Sequence, residues 1–154
     1  MKNVRLFLTL AVVFIVSAAT VTSCKKYEDG PMLSLRTKTH RVVNDWKLET
    51  YYLDDVNKTD SLGISNYTES FKDDGTVLRS FISVAGDTVS DTCTWAFANK
   101  KENLELTGAD SLEISEQIGF VTPANLKILR LKEKELWYSF EKNGATHEFH
   151  LLQK

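Results

Sequence analysis

Most of the chain from residue 45 onwards alternates between apolar and polar positions with a period of two. The alternation is clearest in three segments: Trp46, Leu48 and Thr50 alternate with Lys47, Glu49 and Tyr51; Cys93, Trp95 and Phe97 with Thr94 and Ala96; and Leu136, Tyr138 and Phe140 with Trp137, Ser139 and Glu141. Successive side chains of a β-strand point to opposite faces, so this period is typical of strands with one buried and one wet face.

Turn-forming residues separate the apolar segments at short intervals, at 73–75, 85–87, 99–103, 107–110, 132–134 and 143–144. Asn143-Gly144 is the strongest hairpin signal, because a two-residue type I′ turn needs positive φ at both positions. The spacing predicts an all-β fold, an antiparallel up-and-down meander of about eight strands. Such a meander closes into a barrel or folds into a sandwich, since open strand edges promote aggregation.

A short N-terminal helix is predicted just before the first strand. Ser34 is a residue type that caps helices, and Leu35, Val42 and Val43 share one helical face. The basic residues Arg36, Lys38 and Arg41 fall on the opposite face and point to water.

The first 23 residues follow the plan of a secretory signal peptide. Lys2 and Arg5 precede an apolar run of 11 residues, Leu6 to Val16, and small residues follow. The alternative is an uncleaved membrane anchor, because Leu6 to Ser23 contains 18 residues without a charge, which is near the lower limit for a span. Hydroxyl residues dilute that run and favour the signal peptide: Thr9, Ser17, Thr20, Thr22 and Ser23.

Val21-Thr22-Ser23-Cys24 resembles the lipobox of bacterial lipoproteins. The resemblance implies acylation of Cys24, cleavage before it, and a palmitate-type lipid anchor in the bacterial cell envelope, in the outer membrane on its periplasmic face or at the cell surface; two acyl chains already anchor stably. It divides the chain into a signal peptide (1–23), an acylated cysteine with a charged linker (24–33) and one domain (34–154). The start of the linker, Lys25 to Asp29, resembles surface-display signals of Bacteroidetes lipoproteins, or is a solvated tether.

Processing at Cys24 changes both the charge and the cysteine chemistry. The full chain has a formal net charge of -2, and loss of Lys2 and Arg5 leaves 17 basic against 21 acidic residues, a charge of -4. This acidity argues against a nucleic-acid partner, which needs a basic face. Cys93 then has no second cysteine for an internal disulfide, and its position among apolar residues predicts an inert, buried thiol.

Several short motifs together resemble the lipocalin-like domains of Bacteroidetes lipoproteins: Asn44-Asp45-Trp46, Phe71 to Thr76, Thr94 to Phe97, Leu126 to Leu131 and Leu136 to Tyr138. The resemblance implies a lipocalin-like β-barrel over residues 34–154. The chain departs from true lipocalins at Asn44, where they have glycine, and it lacks their Thr-Asp-Tyr motif. Fold therefore transfers better than ligand.

No catalytic or metal-binding constellation emerges from the residues, and we predict a protein that is not an enzyme and uses no cofactor. His147 and His150 are three apart, which places them on opposite faces of a strand. The acidic loop 54–60 lacks the glycine and glutamate of a calcium-binding EF-hand. No nucleophile, base and orienting group can be assembled.

The barrel interior is the remaining candidate site, and an interior lined by aromatics predicts a small apolar ligand. The candidate ligand-binding residues are Trp46, Phe71, Phe81, Trp95, Tyr138 and Phe149. The alternative is a barrel filled by these same side chains, which would serve as a structural or protein-interaction module of the outer membrane. Tyr51, Trp137 and the loop 54–65 are then the surface for an envelope protein partner.

Overall fold

The computed structural model describes residues 36–108 and 124–154. Their elements are α1 (Lys38–Val42), β1 (Asp45–Leu53), β2 (Val56–Asn57), β3 (Ile64–Phe71), β4 (Thr76–Ser83), β5 (Thr88–Ala98), β6 (Asn103–Thr107), β7 (Ala124–Leu131), β8 (Glu135–Lys142) and β9 (Ala145–Gln153), with short 3₁₀ helices at Thr59–Ser61 and Asn99–Lys101. Cys24, the predicted signal peptide and the linker lie outside the described residues. In the ranges that are described, no helix has the length and apolar content to cross a bilayer.

The strands form one antiparallel sheet that closes on itself. Its order is β2-β1-β3-β4-β5-β6-β7-β8-β9, and β1 also pairs with β9, so eight strands form the barrel and β2 is an additional strand paired with β1. The predicted up-and-down barrel with a short N-terminal helix is therefore confirmed. The predicted hairpin is also present, since Asn143 and Gly144 both have positive φ and Lys142 pairs with Ala145 across the turn.

Helix α1 packs at the end of the barrel where β1 begins. Its N-cap is Thr37, whose side chain accepts a hydrogen bond from the His40 backbone N–H, so the prediction of Ser34 as the cap is wrong. The Trp46 indole N–H donates to the Val42 carbonyl at 2.9 Å, which ties the helix to β1. The prediction that Arg41 points to water is wrong: the side chain is buried, and its guanidinium donates to the Leu131 carbonyl at 2.7 Å, which ties the helix to β7.

A β-bulge in β1 changes which side chains point inward. Leu48 pairs with Leu151 and Thr50 with His150, so Glu49 is an extra residue relative to β9. Beyond the bulge the alternation is reversed, and Tyr51 pairs with Phe149 and is 6% exposed. The prediction that Tyr51 lies on the wet face is therefore wrong, because the strict period of two is broken after Leu48.

The half of the interior next to α1 is filled by side chains. Trp46, Leu104, Leu131, Leu136 and Leu151 have no exposed surface at all. Phe71 packs edge-on against Trp95 with ring centres 5.6 Å apart, and Cys93 is a buried thiol in the same core. This half of the barrel resembles an ordinary protein core rather than a cup.

Candidate ligand site in the distal half of the barrel

Charged side chains lie side by side in the middle of the barrel interior. Glu69 on β3 pairs with Arg79 on β4, and Arg79 pairs with Asp91 on β5. An Arg79 guanidinium nitrogen lies 2.5 Å from Asp91 Oδ2, and the two side chains are 0% and 1% exposed. Sequence reasoning missed this cluster, although Glu69 and Arg79 occupy inward positions of strands whose other inward residues are apolar.

Two tyrosines donate hydrogen bonds to Glu69. The hydroxyls of Tyr67 and Tyr138 lie 2.6 Å and 2.7 Å from Glu69 Oε1. Tyr138 is on β8, which is separated from β3 by β9 and β1 in the barrel, so its hydrogen bond crosses the interior. This bridge divides the interior into the filled half next to α1 and a half away from it, which we call the distal half.

Burial controls the protonation of this bridge. Burial raises the pKa of Glu69, and the hydrogen bonds from the two tyrosines and the charge of Arg79 oppose that rise. Burial and the neighbouring Glu69 carboxyl hold the pKa values of Tyr67 and Tyr138 well above the usual tyrosine value, so both hydroxyls are protonated donors at neutral pH. Glu69 Oε2 is buried and has no hydrogen-bond partner among the described residues.

Aromatic rings continue from this bridge to the distal end of the barrel. Phe149 is at their centre, with ring-centre distances of 5.1 Å to Tyr51, 6.1 Å to Tyr67, 5.4 Å to Tyr138 and 6.0 Å to Phe140. We call Tyr51, Phe140, His147 and Phe149 the distal cluster. Its rings provide a wide apolar surface with few polar atoms, which is the composition of many ligand sites.

His147 adds a polar group to the distal cluster. Its ring stacks on Phe140 with centres 4.9 Å apart, and its Nδ1 lies 2.8 Å from the Tyr51 hydroxyl. Burial and the charge of Lys142 lower the pKa of His147, while Asp54 and Glu141 oppose the change. The imidazole is therefore neutral at neutral pH, and its Nδ1 accepts from or donates to the Tyr51 hydroxyl according to the tautomer.

Apolar side chains lie at the distal end on the side formed by β1, β3 and β5. Leu53, Leu62, Ile64 and Val89 are only partly buried and pack against the core. They lie at or beside the strand ends that are farthest from α1, where β1 ends and β3 and β5 begin. We call these four residues the distal rim, and they give the distal half an apolar edge that is partly exposed to solvent.

The six residues predicted to contact a ligand are all buried, each at 9% exposure or less. Trp46, Phe71 and Trp95 lie in the filled half next to α1. Tyr138 belongs to the polar bridge, and Phe81 and Phe149 lie towards the distal end. Contact of any of them with a ligand stays a prediction.

Trp137 lies on the outer wall, in a row of stacked side chains. The Arg130 guanidinium lies 3.8 Å from the centre of the Trp137 ring. The His150 ring also stacks on Trp137, with ring centres 3.8 Å apart and planes 5° apart. Tyr52 lies 5.0 Å from His150 on the next strand. We call Tyr52, Arg130, Trp137 and His150 the outer ladder.

His147 and His150 thus occupy the inner and outer faces of the barrel, as their spacing predicts. Across residues 36–108 and 124–154, no three histidine, cysteine or acidic side chains come together in a way that would hold a metal ion. In the acidic loop after β1, Asp54 Oδ1 accepts a hydrogen bond from the backbone N–H of Thr146 on β9 at 2.8 Å.

A groove of about 670 Å³ lies on the outer wall where β1 and β3 diverge beyond the pair Lys47 and Thr68. It is lined by Lys47, Leu48, Glu49, Asn66, Tyr67, Thr68, Ser80, Phe81, Ile82, Thr88, Leu152 and Lys154. Seven of these twelve residues are charged or polar, which does not favour an apolar ligand: Lys47, Glu49, Asn66, Thr68, Ser80, Thr88 and Lys154. The distal half, with its aromatic cluster and apolar rim, is the better candidate for an apolar ligand.

Solved structures share this fold, and one of them is described as a lipocalin-like protein. A lipocalin-like protein from Bacteroides uniformis matches with a TM-score of 0.58 at 11% identity, over 74% of this chain and 99% of that chain. An uncharacterized protein from Bacteroides eggerthii matches with a TM-score of 0.54 at 12% identity, over 73% and 98%. Japanin from Rhipicephalus appendiculatus, bound to cholesterol, matches with a TM-score of 0.53 at 12% identity, over 77% and 79%. No protein-family description and no curated protein matches the chain.

Proposed function

The chain has a lipocalin-like fold, and we propose that it is a lipid-anchored binding protein of the bacterial envelope that holds a small, mostly apolar ligand in the distal half of its barrel. The observation that carries this proposal is the distal rim, because four partly exposed apolar side chains lie at the same end of the barrel as a cluster of aromatic rings. Burying such a surface against an apolar molecule is favourable, at about 25 cal/mol per Å² of area removed from water.

The polar groups of the distal half are few and have fixed positions. The Tyr51 hydroxyl and the His147 ring are hydrogen-bonded to each other near the rim, and the bridge at Glu69 lies deeper. Small-molecule sites commonly combine an apolar wall with a few polar groups that orient the ligand. Japanin from Rhipicephalus appendiculatus, which shares the fold, is bound to cholesterol, a mostly apolar molecule of the class proposed here.

The lipid-anchor part of the proposal rests on Cys24 and the residues before it. Replacing Cys24 by serine should abolish incorporation of labelled palmitate and release the chain from the membrane fraction, because serine offers no thiol for acylation. Replacing Cys93 by serine is the matched control and should leave labelling unchanged. Equal labelling of the Cys24→Ser variant and the wild type would rule out the anchor.

Ligand binding is tested by titrating the purified domain with an apolar dye and with long-chain lipids, followed by calorimetry. Val89→Asp places a charge on the distal rim and should weaken binding by at least about tenfold, because a buried carboxylate costs more than 1.4 kcal/mol. Val84→Asp is the control, since Val84 is 83% exposed in the β4–β5 turn. If no titrant binds saturably to the wild type, or both variants bind equally, the distal site is wrong.

A second candidate is a structural or protein-interaction module that needs no ligand, and two observations favour it. The half of the barrel next to α1 is filled, and the outer ladder presents Trp137 with a cation and an imidazole on its two faces. Tryptophan and arginine are common among the residues that dominate protein interfaces. Under this alternative, crosslinking in native envelopes captures a partner, and Trp137→Ala abolishes the capture without affecting dye binding.

A further inference from the structure

We propose that Glu69 is the polar anchor of the ligand, and that the ligand carries a hydrogen-bond donor, a hydroxyl or a protonated amine, at the end of an apolar body. This inference rests on the proposed function. It names the chemical class of the ligand and excludes compounds, such as fatty acids, whose polar end only accepts hydrogen bonds.

The Glu69 carboxyl has an unused acceptor. Its Oε1 accepts both tyrosine hydroxyls, whereas its Oε2 is buried and has no hydrogen-bond partner in the described part of the chain. A buried acceptor that loses its hydration without gaining a donor costs about 1–3 kcal/mol, and more when it is charged. When Glu69 is ionised, a ligand that brings a donor to Oε2 gains a charge-assisted hydrogen bond and removes this cost.

The charges around Glu69 favour the same class of ligand. Arg79 is held by Asp91 at 2.5 Å, so the described cluster contains two carboxyl groups and one guanidinium. The tyrosine hydroxyls already donate to Glu69. A carboxylate ligand would add a third acidic group, whereas an ammonium would balance an ionised Glu69 and a hydroxyl would suit either protonation state.

The aromatic rings connect this anchor with the distal rim. Tyr67 and Tyr138, the donors to Glu69, both contact the Phe149 ring, which in turn contacts Tyr51 and Phe140. A ligand with its donor at Glu69 would lay its hydrocarbon against these rings and end at the rim. The charges acting on His147 at that end are of both signs, Lys142 against Asp54 and Glu141, so they do not select a headgroup.

The test is calorimetric titration with four compounds of equal chain length: decanol, decylamine, methyl decanoate and decanoate. The wild type should bind decanol and decylamine at least about tenfold more tightly than the ester and the acid, which lack a donor at neutral pH. Glu69→Gln should remove most of this preference, because an amide NH₂ replaces the acceptor. Glu49→Gln makes the same chemical change at an exposed position of β1 and should keep the wild-type ranking.

The results separate the role of Glu69 from the existence of the apolar site. Decanoate or methyl decanoate binding as tightly as decanol would overturn the role of Glu69 and leave the proposed apolar site standing. An unchanged ranking in a folded Glu69→Gln variant would also overturn it. If none of the four compounds and no apolar dye binds, the proposed function fails and this inference fails with it. Should Glu69→Gln not fold, the ranking measured on the wild type decides the question.

Discussion

The ion pair between Arg79 and Asp91 allows a direct test of whether charged side chains are buried in the barrel interior. The perturbation is a double-mutant cycle with Arg79→Met, Asp91→Val and the double variant. Because the two side chains are 0% and 1% exposed, each single change leaves a charge in the core. Removing one partner of such a pair typically costs about 3–5 kcal/mol, whereas replacing both by apolar groups is often neutral or stabilising.

The neighbouring Glu69 makes the two single variants unequal. Arg79→Met leaves Asp91 and Glu69 as buried acids without the guanidinium, and it also removes the charge that lowers the pKa of Glu69. Asp91→Val leaves Arg79 beside Glu69, which can ionise and compensate for part of the lost charge. We therefore expect Arg79→Met to lower the free energy of unfolding by about 3–5 kcal/mol and Asp91→Val to lower it by less. The double variant should return to within about 1 kcal/mol of the wild type.

The assay is urea unfolding at neutral pH, followed by circular dichroism and evaluated by linear extrapolation. The exposed pair Lys72 and Asp45, at 3.3 Å with side chains 53% and 58% exposed, is the matched control. A cycle on that pair should give a coupling energy below about 1 kcal/mol. Additive costs in the Arg79 and Asp91 cycle, or single costs as small as the control, would refute the buried-pair reasoning.

Three further predictions follow from the polar contacts. Because the folded-state pKa of Glu69 is raised, the native state binds a proton more tightly than the unfolded chain does. The free energy of unfolding should therefore fall as pH rises from the unfolded pKa through the folded one, by about 1.4 kcal/mol for each tenfold difference in proton affinity. Glu69→Gln should flatten this part of a profile of urea midpoint against pH. Tyr51→Phe removes the 2.8 Å contact with His147 and should cost about 0.5–1.5 kcal/mol with a changed His147 titration by NMR, and an unchanged titration would show that the contact is not made in solution. Trp137→Ala should cost less than about 2 kcal/mol, because the outer ladder is only partly buried, and a larger loss in thermal melts would mean that Trp137 supports the core.

The local alternation of the sequence was sufficient to predict an antiparallel meander, because each strand shows its buried face through a period of two. The choice of a barrel over a sandwich came from the resemblance to lipocalin-like domains. The position of Tyr51 was not predictable in this way, since the bulge at Glu49 depends on how β1 pairs with β9, and the paired residues on either side of the bulge are 100 or more positions apart along the chain. The charged cluster was not predicted, although Glu69 and Arg79 occupy positions where the alternation calls for apolar residues. Asp91 faces Arg79 across the adjacent strands β4 and β5, whereas Tyr138 reaches Glu69 from β8 and only the closed barrel brings that pair together.

The central claim is that the distal half of the barrel carries a small apolar molecule with a donor group. The most direct measurement is mass spectrometry of organic extracts from the full chain, purified without denaturation from the cells that produce it. We expect one apolar compound bearing a hydroxyl or an amine, close to equimolar with the protein and depleted in Val89→Asp. Extracts with no compound enriched over those of Val89→Asp would contradict it.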